Sequence, residues 1–253
     1  MNFMELPQKI MSDNIFKTIL ILGVFVVMGT SITTQVMLQT GENIRGNPVD
    51  LSDQIIDTNL PTDDYFKSLL YYPNGLPPYI SSGGVYSPEI SIFNLGFKIA
   101  GVLFILIGIE VFLRTASSLN KEDKYEKKYN NLSLICSIIS GISLFLITYF
   151  PFDAKLIMHV NFAILIFISI AIWVYAFMRS RKKIDSKIEF RGRNLNLIRK
   201  KIAYFGIFSF FFMATFVGLN MQSIGAIGEW CLMISGQLQT LTFIPNINTD
   251  EKV

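Results

Sequence analysis

The chain has 253 residues, of which 51% are hydrophobic and only 16% charged, and its formal net charge is +3. A mean hydropathy of +0.44 is hard to reconcile with a soluble α/β enzyme of this length and is typical of a polytopic membrane protein. One histidine and two cysteines are too few for the His-rich zinc site that many intramembrane hydrolases use.

Long apolar runs dominate the chain, and each is long enough to cross about 30 Å of hydrocarbon as a helix. The runs are residues 18–36, 92–113, 132–150, 156–178, 202–219 and 225–244. Helices satisfy their backbone hydrogen bonds inside a bilayer, and these runs are too long for barrel strands. We therefore predict an all-α membrane protein with six transmembrane helices in a single domain, residues 1–253.

Charge is distributed unevenly among the connecting segments. The loop 179–201 is rich in Lys and Arg, whereas the long loop 38–90 is mainly acidic. The positive-inside rule places the basic loop in the cytoplasm and the acidic loop in an extracellular or luminal space. Six crossings then put both termini in the cytoplasm. The basic loop, Arg179–Lys201, either only sets this orientation or also binds anionic lipid or a cytoplasmic protein partner.

A few ionisable groups fall inside the predicted helices, where they are costly and usually face the bundle interior. Lys98, His159 and Glu229 lie at similar depths on three different helices, near the outer face and below the Pro-rich end of loop 38–90. A Glu–His or Glu–Lys pair would lower the cost of burying them. Two interpretations stay open: a polar site of headgroup size, or a structural clasp that fixes the loop. Near the other face, Glu110 precedes Arg114 by one helical turn, so these two residues can pair.

Recognised catalytic signatures are not evident in the chain. It has no G-x-S-x-G nucleophile elbow, no P-loop, and no dinucleotide-binding glycine motif after a strand. We expect no cofactor, no metal site and no nucleic-acid partner, and we expect membrane lipids as partners. A non-enzymatic role is therefore the leading interpretation.

Several short motifs occur in a characteristic order and at characteristic depths. They are Pro78-Tyr79-Ile80-Ser81, Pro88-Glu89 before the second helix, His159 in the fourth helix, and Glu229-Trp230 in the sixth. Together they resemble the DRAM/Frag1/Sfk1 family, whose domain is also described as the N-terminal domain of Cwh43-type proteins. The resemblance covers roughly residues 15–247, with two departures: Ser82-Gly83 and Val160 stand where the family often has an acidic residue.

The resemblance implies a lipid-linked role in one of several branches. One branch modulates autophagy on endolysosomal membranes, another remodels the lipid part of GPI anchors, and a third supports phosphoinositide-kinase recruitment and lipid asymmetry at the plasma membrane. The sequence is compatible with an endomembrane location (lysosome, Golgi or ER) and equally with the plasma membrane.

From these observations we predict a lipid-associated membrane protein that binds or organises lipid and regulates endomembrane or autophagy-type processes. One alternative is a GPI-anchor lipid-remodelling factor or enzyme, in which His159 acts as acid and base and Glu229 orients it. Another is a scaffold that recruits a cytoplasmic partner through the basic loop. The residues predicted to form or support the lipid site are Pro78, Tyr79, Ser81, Glu89, Lys98, His159, Glu229 and Trp230.

Overall fold

The structure is a computed structural model that describes residues 8–39, 79–152, 154–219 and 221–250. These parts of the chain are almost entirely helical, as predicted. The elements in chain order are α1 (Asp13–Gln39), the short 3-10 helix η1 (Ile80–Gly84), α2 (Glu89–Ser117), α3 (Lys124–Ile147), α4 (Leu156–Ser180), β1 (Glu189–Phe190), β2 (Arg193–Asn194), α5 (Leu195–Gly218), α6 (Gln222–Leu241) and α7 (Ile244–Asp250).

Five helices in the described part of the chain, α1 to α5, are long and apolar enough to cross a membrane. The sixth predicted crossing, residues 225–244, folds as α6, which has 20 residues. Glu229, Gln237 and Gln239 lower the hydropathy of this helix, and it is not among the candidate spans. Length and composition of the described residues therefore support five of the six predicted crossings, and the sixth stays a prediction.

The long helices form an antiparallel bundle in which neighbours in sequence pack together. α2 packs on α1 and α3, α3 on α4, and α5 on α6, while α6 also contacts α4 and α1. η1 contacts α1, α2 and α6 at one end of the bundle, which we call the η1 end. The β1–β2 hairpin lies beyond the opposite ends of these helices, which we call the hairpin end.

Several helices extend past their apolar runs, because polar residues continue the helix beyond the hydrocarbon-length segment. α5 begins at Leu195, well before the expected residue 202. The side chain of Asn194 caps it by accepting a hydrogen bond from the backbone N–H of Asn196 (2.9 Å), which satisfies one of the free donors at the helix start. As a result, Arg199 lies on a helix rather than in a loop.

The hairpin was not predicted, because its two-residue strands are too short to show an alternating pattern. Phe190 pairs with Arg193 across the antiparallel ladder. Between them, Arg191 and Gly192 have φ values of 52° and 71°. Two consecutive positive φ values are what a tight two-residue hairpin turn requires, and glycine adopts one without strain.

An aromatic core lies toward the hairpin end and joins α1, α4 and the segment before α7. Trp173 stacks on Phe177 with ring centroids 5.4 Å apart, and Phe16 meets the edge of Phe243 at 5.4 Å. All four rings are almost completely buried. This core fills the interior of the bundle at the hairpin end, whereas the η1 end contains a cavity.

Candidate functional site

An apolar cavity of about 770 Å³ runs from the η1 end toward the middle of the bundle. Its lining follows residues 159–170 of α4 and 229–240 of α6, and each stretch is about 16 Å long at 1.5 Å per residue. The walls are mostly aliphatic and aromatic side chains from all six long helices, including Val27, Phe93, Phe97, Phe104, Leu144, Ile166, Phe210 and Leu232.

The cavity is open along one side, where α4 faces α5. Ile157, Ile164 and Ile168 line it from α4 and are 59%, 47% and 41% exposed. Ala214 lines it from α5 and is also exposed. Because α4 and α5 are both candidate spans, this opening would face bilayer hydrocarbon. An apolar chain could therefore enter sideways from the membrane.

α1 holds the η1 segment against the end of this cavity. The Gln35 side-chain amide donates to the carbonyls of Tyr79 (3.0 Å) and Ile80 (3.3 Å) and to the Ser82 hydroxyl (3.2 Å). Gly83 lies so close to α1 that an added Cβ would be 2.7 Å from the Thr34 Cβ. A larger residue there would push η1 away from α1.

Glu229 ties the same segment to α6. It is 5% exposed, and its Oε2 accepts a hydrogen bond from the backbone N–H of Ile80 at 3.1 Å. One carboxyl group can accept several hydrogen bonds, so this contact leaves acceptor capacity at the cavity. Glu229 thus both holds η1 through Ile80 and lines the cavity.

His159 lines the cavity from α4 and is 3% exposed. Its Nδ1 lies 2.7 Å from the carbonyl oxygen of Phe150, and its ring meets the Phe152 ring edge-on at 5.2 Å. Because a carbonyl oxygen can only accept, Nδ1 carries the hydrogen, and Nε2 of the neutral ring is an acceptor. Nε2 is buried and has no hydrogen-bond partner among the residues that the structure describes.

The cavity brings together four of the residues predicted for the site, namely Tyr79, Ser81, His159 and Glu229. His159 and Glu229 do not form the Glu–His pair considered above. Within the described chain each side chain bonds to the backbone instead, His159 to Phe150 and Glu229 to Ile80.

The structure places the other predicted site residues elsewhere. Glu89 is buried in the first turn of α2, and Trp230 packs against the cluster that contains Ile80 and Phe93 behind the cavity. The ammonium of Lys98 lies 4.3 Å from the centroid of the Tyr149 ring. Pro78 lies outside the described residues.

A buried ionic network at the hairpin end was not predicted from the sequence. Asp185 is fully buried and accepts hydrogen bonds from Arg181 (2.7 and 2.8 Å), Arg199 and Asn246. Burial alone would raise the pKa of the Asp185 carboxyl, but the Arg181 and Arg199 guanidiniums outweigh it and hold the pKa below its ordinary value. The network joins the end of α4, α5 and α7, and its one sequence clue was the spacing of four between Arg181 and Asp185.

A second buried network confirms the Glu110–Arg114 pair. Glu110 is fully buried, accepts from Arg114 at 2.8 Å, and also accepts from the backbone N–H of Ile10 at 3.0 Å. Arg114 in turn reaches Asp13 at 2.6 Å. These contacts fix the start of α1 against α2.

We expect replacement of Gln35 by leucine to loosen η1, since the Tyr79 and Ile80 carbonyls lose a shared donor. The expected loss of stability is roughly 1–3 kcal/mol. Thermal unfolding in mild detergent measures it, and maleimide labelling of a Ser81→Cys reporter should become faster. Thr33→Val, an exposed neighbour on α1, is the matched control. Unchanged labelling in Gln35→Leu would show that Gln35 does not hold η1.

The described part of the chain is almost entirely helical, and its five apolar helices of membrane-spanning length are those of an integral, multi-pass membrane protein. The family model described as "Frag1/DRAM/Sfk1/Cwh43P N-terminal domain" matches residues 54–249, and the chain belongs to this family. The resemblance found in the motifs is thereby confirmed.

Two curated relatives are similar over a shorter stretch. The DNA damage-regulated autophagy modulator protein 2 of Rattus norvegicus is 35% identical over 98 residues, and that of Mus musculus is 33% identical over 98 residues. Each match covers 39% of this chain and 36% of the relative's own length. No solved structure matches the chain.

Proposed function

We propose that this protein binds a membrane lipid in the cavity and thereby regulates an endomembrane process of the autophagy type. The observation that carries the proposal is the shape of the cavity: an apolar slot about 16 Å deep, open toward the bilayer side, with polar groups at one end. A membrane lipid matches this shape, because it has an apolar chain and a polar headgroup at one end. The two similar relatives are named autophagy modulator proteins, and these names support the choice of an autophagy-type process.

The proposal includes six crossings, with α6 as the sixth. Its 20 residues span about 30 Å, and its polar side chains Glu229 and Gln239 are 5% and 0% exposed. Such a helix can cross a bilayer because its polar groups face protein rather than lipid.

The same proposal places the hairpin end in the cytoplasm. Lys182, Lys187, Arg191 and Arg193 are exposed there, in agreement with the positive-inside rule. Both termini then lie in the cytoplasm, and the η1 end faces the extracellular or luminal side.

A GPI-anchor lipid-remodelling factor or enzyme is the second candidate. The buried Nε2 of His159, which has no partner among the described residues, favours it, because a general base needs a free acceptor within reach of the reacting group. However, the Phe150 carbonyl, not Glu229, orients the ring in the described contacts. Binding therefore explains the geometry with fewer assumptions than catalysis.

Recruitment of a partner by the basic loop is the third candidate. Exposed cations on the hairpin support it, but Arg181 and Arg199 are buried around Asp185. These two residues stabilise the fold and are not available to a cytoplasmic partner or to anionic lipid.

The test is mass spectrometry of the lipids that copurify with the full chain in mild detergent. We expect the wild type to retain one lipid class selectively, and we expect the His159→Ala/Glu229→Gln double variant to lose it. The amide oxygen that replaces the Glu229 carboxylate can still accept from the Ile80 N–H, so the fold should persist, and thermal unfolding checks that it does.

Lys98→Gln is the matched control, because it changes a polar residue of similar depth whose ammonium lies over Tyr149. It should keep the wild-type lipid profile. The same bulk-lipid profile in the wild type and in a well-folded double variant would end the proposal of a lipid site in this cavity.

A further inference from the structure

We infer that the cavity selects an uncharged lipid whose polar end carries a free hydroxyl group, such as a diacylglycerol, over lipids that carry a phosphate. This inference rests on the proposed function and adds the chemical class of the ligand. It follows from the hydrogen-bonding groups that the η1 end presents to the cavity.

His159 lacks one hydrogen bond within the described chain, and the direction of that bond favours a ligand that donates. Its Nδ1–H is used by the Phe150 carbonyl, so its buried Nε2 needs a donor. A lipid hydroxyl has an O–H to donate, whereas a phosphate diester offers only acceptor oxygens and a phosphate monoester is mostly a dianion near pH 7, with its second pKa at about 6. Protonating the ring to create a second donor would bury a charge among the apolar side chains of the cavity, which is costly without a counter-charge.

The carboxyl group of Glu229 favours the same kind of ligand. It lines the same end of the cavity and has acceptor capacity beyond its bond to Ile80. A lipid hydroxyl can donate to its remaining lone pairs, but an ionised phosphate has no O–H to donate there. Binding a phosphate in such a place normally requires Arg or Lys.

The described cations lie away from the cavity, which disfavours a phosphate. Neither Lys nor Arg is among the described residues that line the cavity. Lys98, at a similar depth, instead places its ammonium over the Tyr149 ring. Ser81 and Tyr79 add hydroxyl-bearing side chains to the polar end, and a hydroxyl can donate to an ester carbonyl as well as accept.

Two photoreactive, clickable lipids test this inference on the full chain in nanodiscs: a diacylglycerol, and the phosphatidic acid with the same acyl chains. They differ only in the phosphate that replaces the free hydroxyl. We expect the diacylglycerol to label the cavity roughly tenfold more than the phosphatidic acid, about the effect of one hydrogen bond. Excess unlabelled diacylglycerol should compete, and peptide mapping should place the adduct on α4, α5 or α6.

Two substitutions should weaken the preference for diacylglycerol by different routes. His159→Phe removes the acceptor but keeps the site apolar, so labelling by diacylglycerol should fall toward that by phosphatidic acid. Ser81→Arg brings a cation to the polar end and should raise labelling by phosphatidic acid. Lys98→Gln should leave the ratio unchanged.

The outcomes separate this inference from the proposed function. Equal labelling by the two probes, or a preference for phosphatidic acid, would keep a lipid site and overturn the selection of a hydroxyl group. No competed labelling by either probe in well-folded protein would overturn both.

Discussion

Replacing Asp185 with alanine is expected to destabilise the protein by about 3–5 kcal/mol, the usual cost of removing one partner from a buried charge pair. Asp185 and Arg199 are both fully buried, and Arg181 is 4% exposed. Alanine leaves two guanidinium groups in the protein interior without their counter-charge. The ends of α4, α5 and α7 should separate first, and thermal unfolding in detergent should show a clearly lower midpoint.

The matched control is Asp123→Ala. This carboxylate also bonds to a basic residue of the same loop, Lys183, at 2.7 Å, but that lysine is 58% exposed. Exposed ion pairs contribute little, because water competes for both groups. We therefore expect Asp123→Ala to unfold near the wild-type temperature. If Asp185→Ala also does so, the buried network does not hold the helix ends together.

Most of the helical fold could be predicted because a long apolar run has few solutions in a membrane. Runs such as 92–113 and 156–178 became α2 and α4 with modest extensions. The α6 helix was predicted too, but its composition does not show whether it crosses the membrane. Its polar residues face the bundle interior, and a hydropathy average does not distinguish an inward from an outward side chain.

The candidate site was only partly predictable for a related reason. Counting residues gives the depth of a side chain, and His159 and Glu229, which have similar depths, both line the cavity. Depth does not give the direction around the helix axis, which changes by about 100° per residue. Lys98 has a similar depth, but its direction takes it to Tyr149 instead of the cavity.

The ionic network around Asp185 shows a second limit of prediction from the sequence. In a sequence, a charged residue beside a membrane span looks the same whether it is solvated or buried. Arg181 and Arg199 stand among exposed basic neighbours, and their burial depends on α7, a short helix far along the chain that brings Asn246 to Asp185. Long-range packing of this kind leaves no local pattern.

Blocking the side opening of the cavity should abolish selective lipid retention while leaving the polar end intact. Ala214→Phe adds an aromatic ring to the exposed part of the α5 wall, where it would take the place of about two or three methylene groups of a bound chain. At about 0.8 kcal/mol for each buried methylene, the loss is about 2 kcal/mol. That corresponds to roughly thirtyfold weaker binding.

Thr215→Phe is the matched control for this change. Thr215 is the next residue on the same helix, is exposed, and is not among the described residues that line the cavity. Lipid mass spectrometry should therefore find the retained lipid in Thr215→Phe and not in Ala214→Phe, with both variants unfolding near the wild-type temperature. Retention in both variants would mean that the lipid does not enter between α4 and α5, whereas loss in both would point to a general effect of aromatic residues on this face of α5.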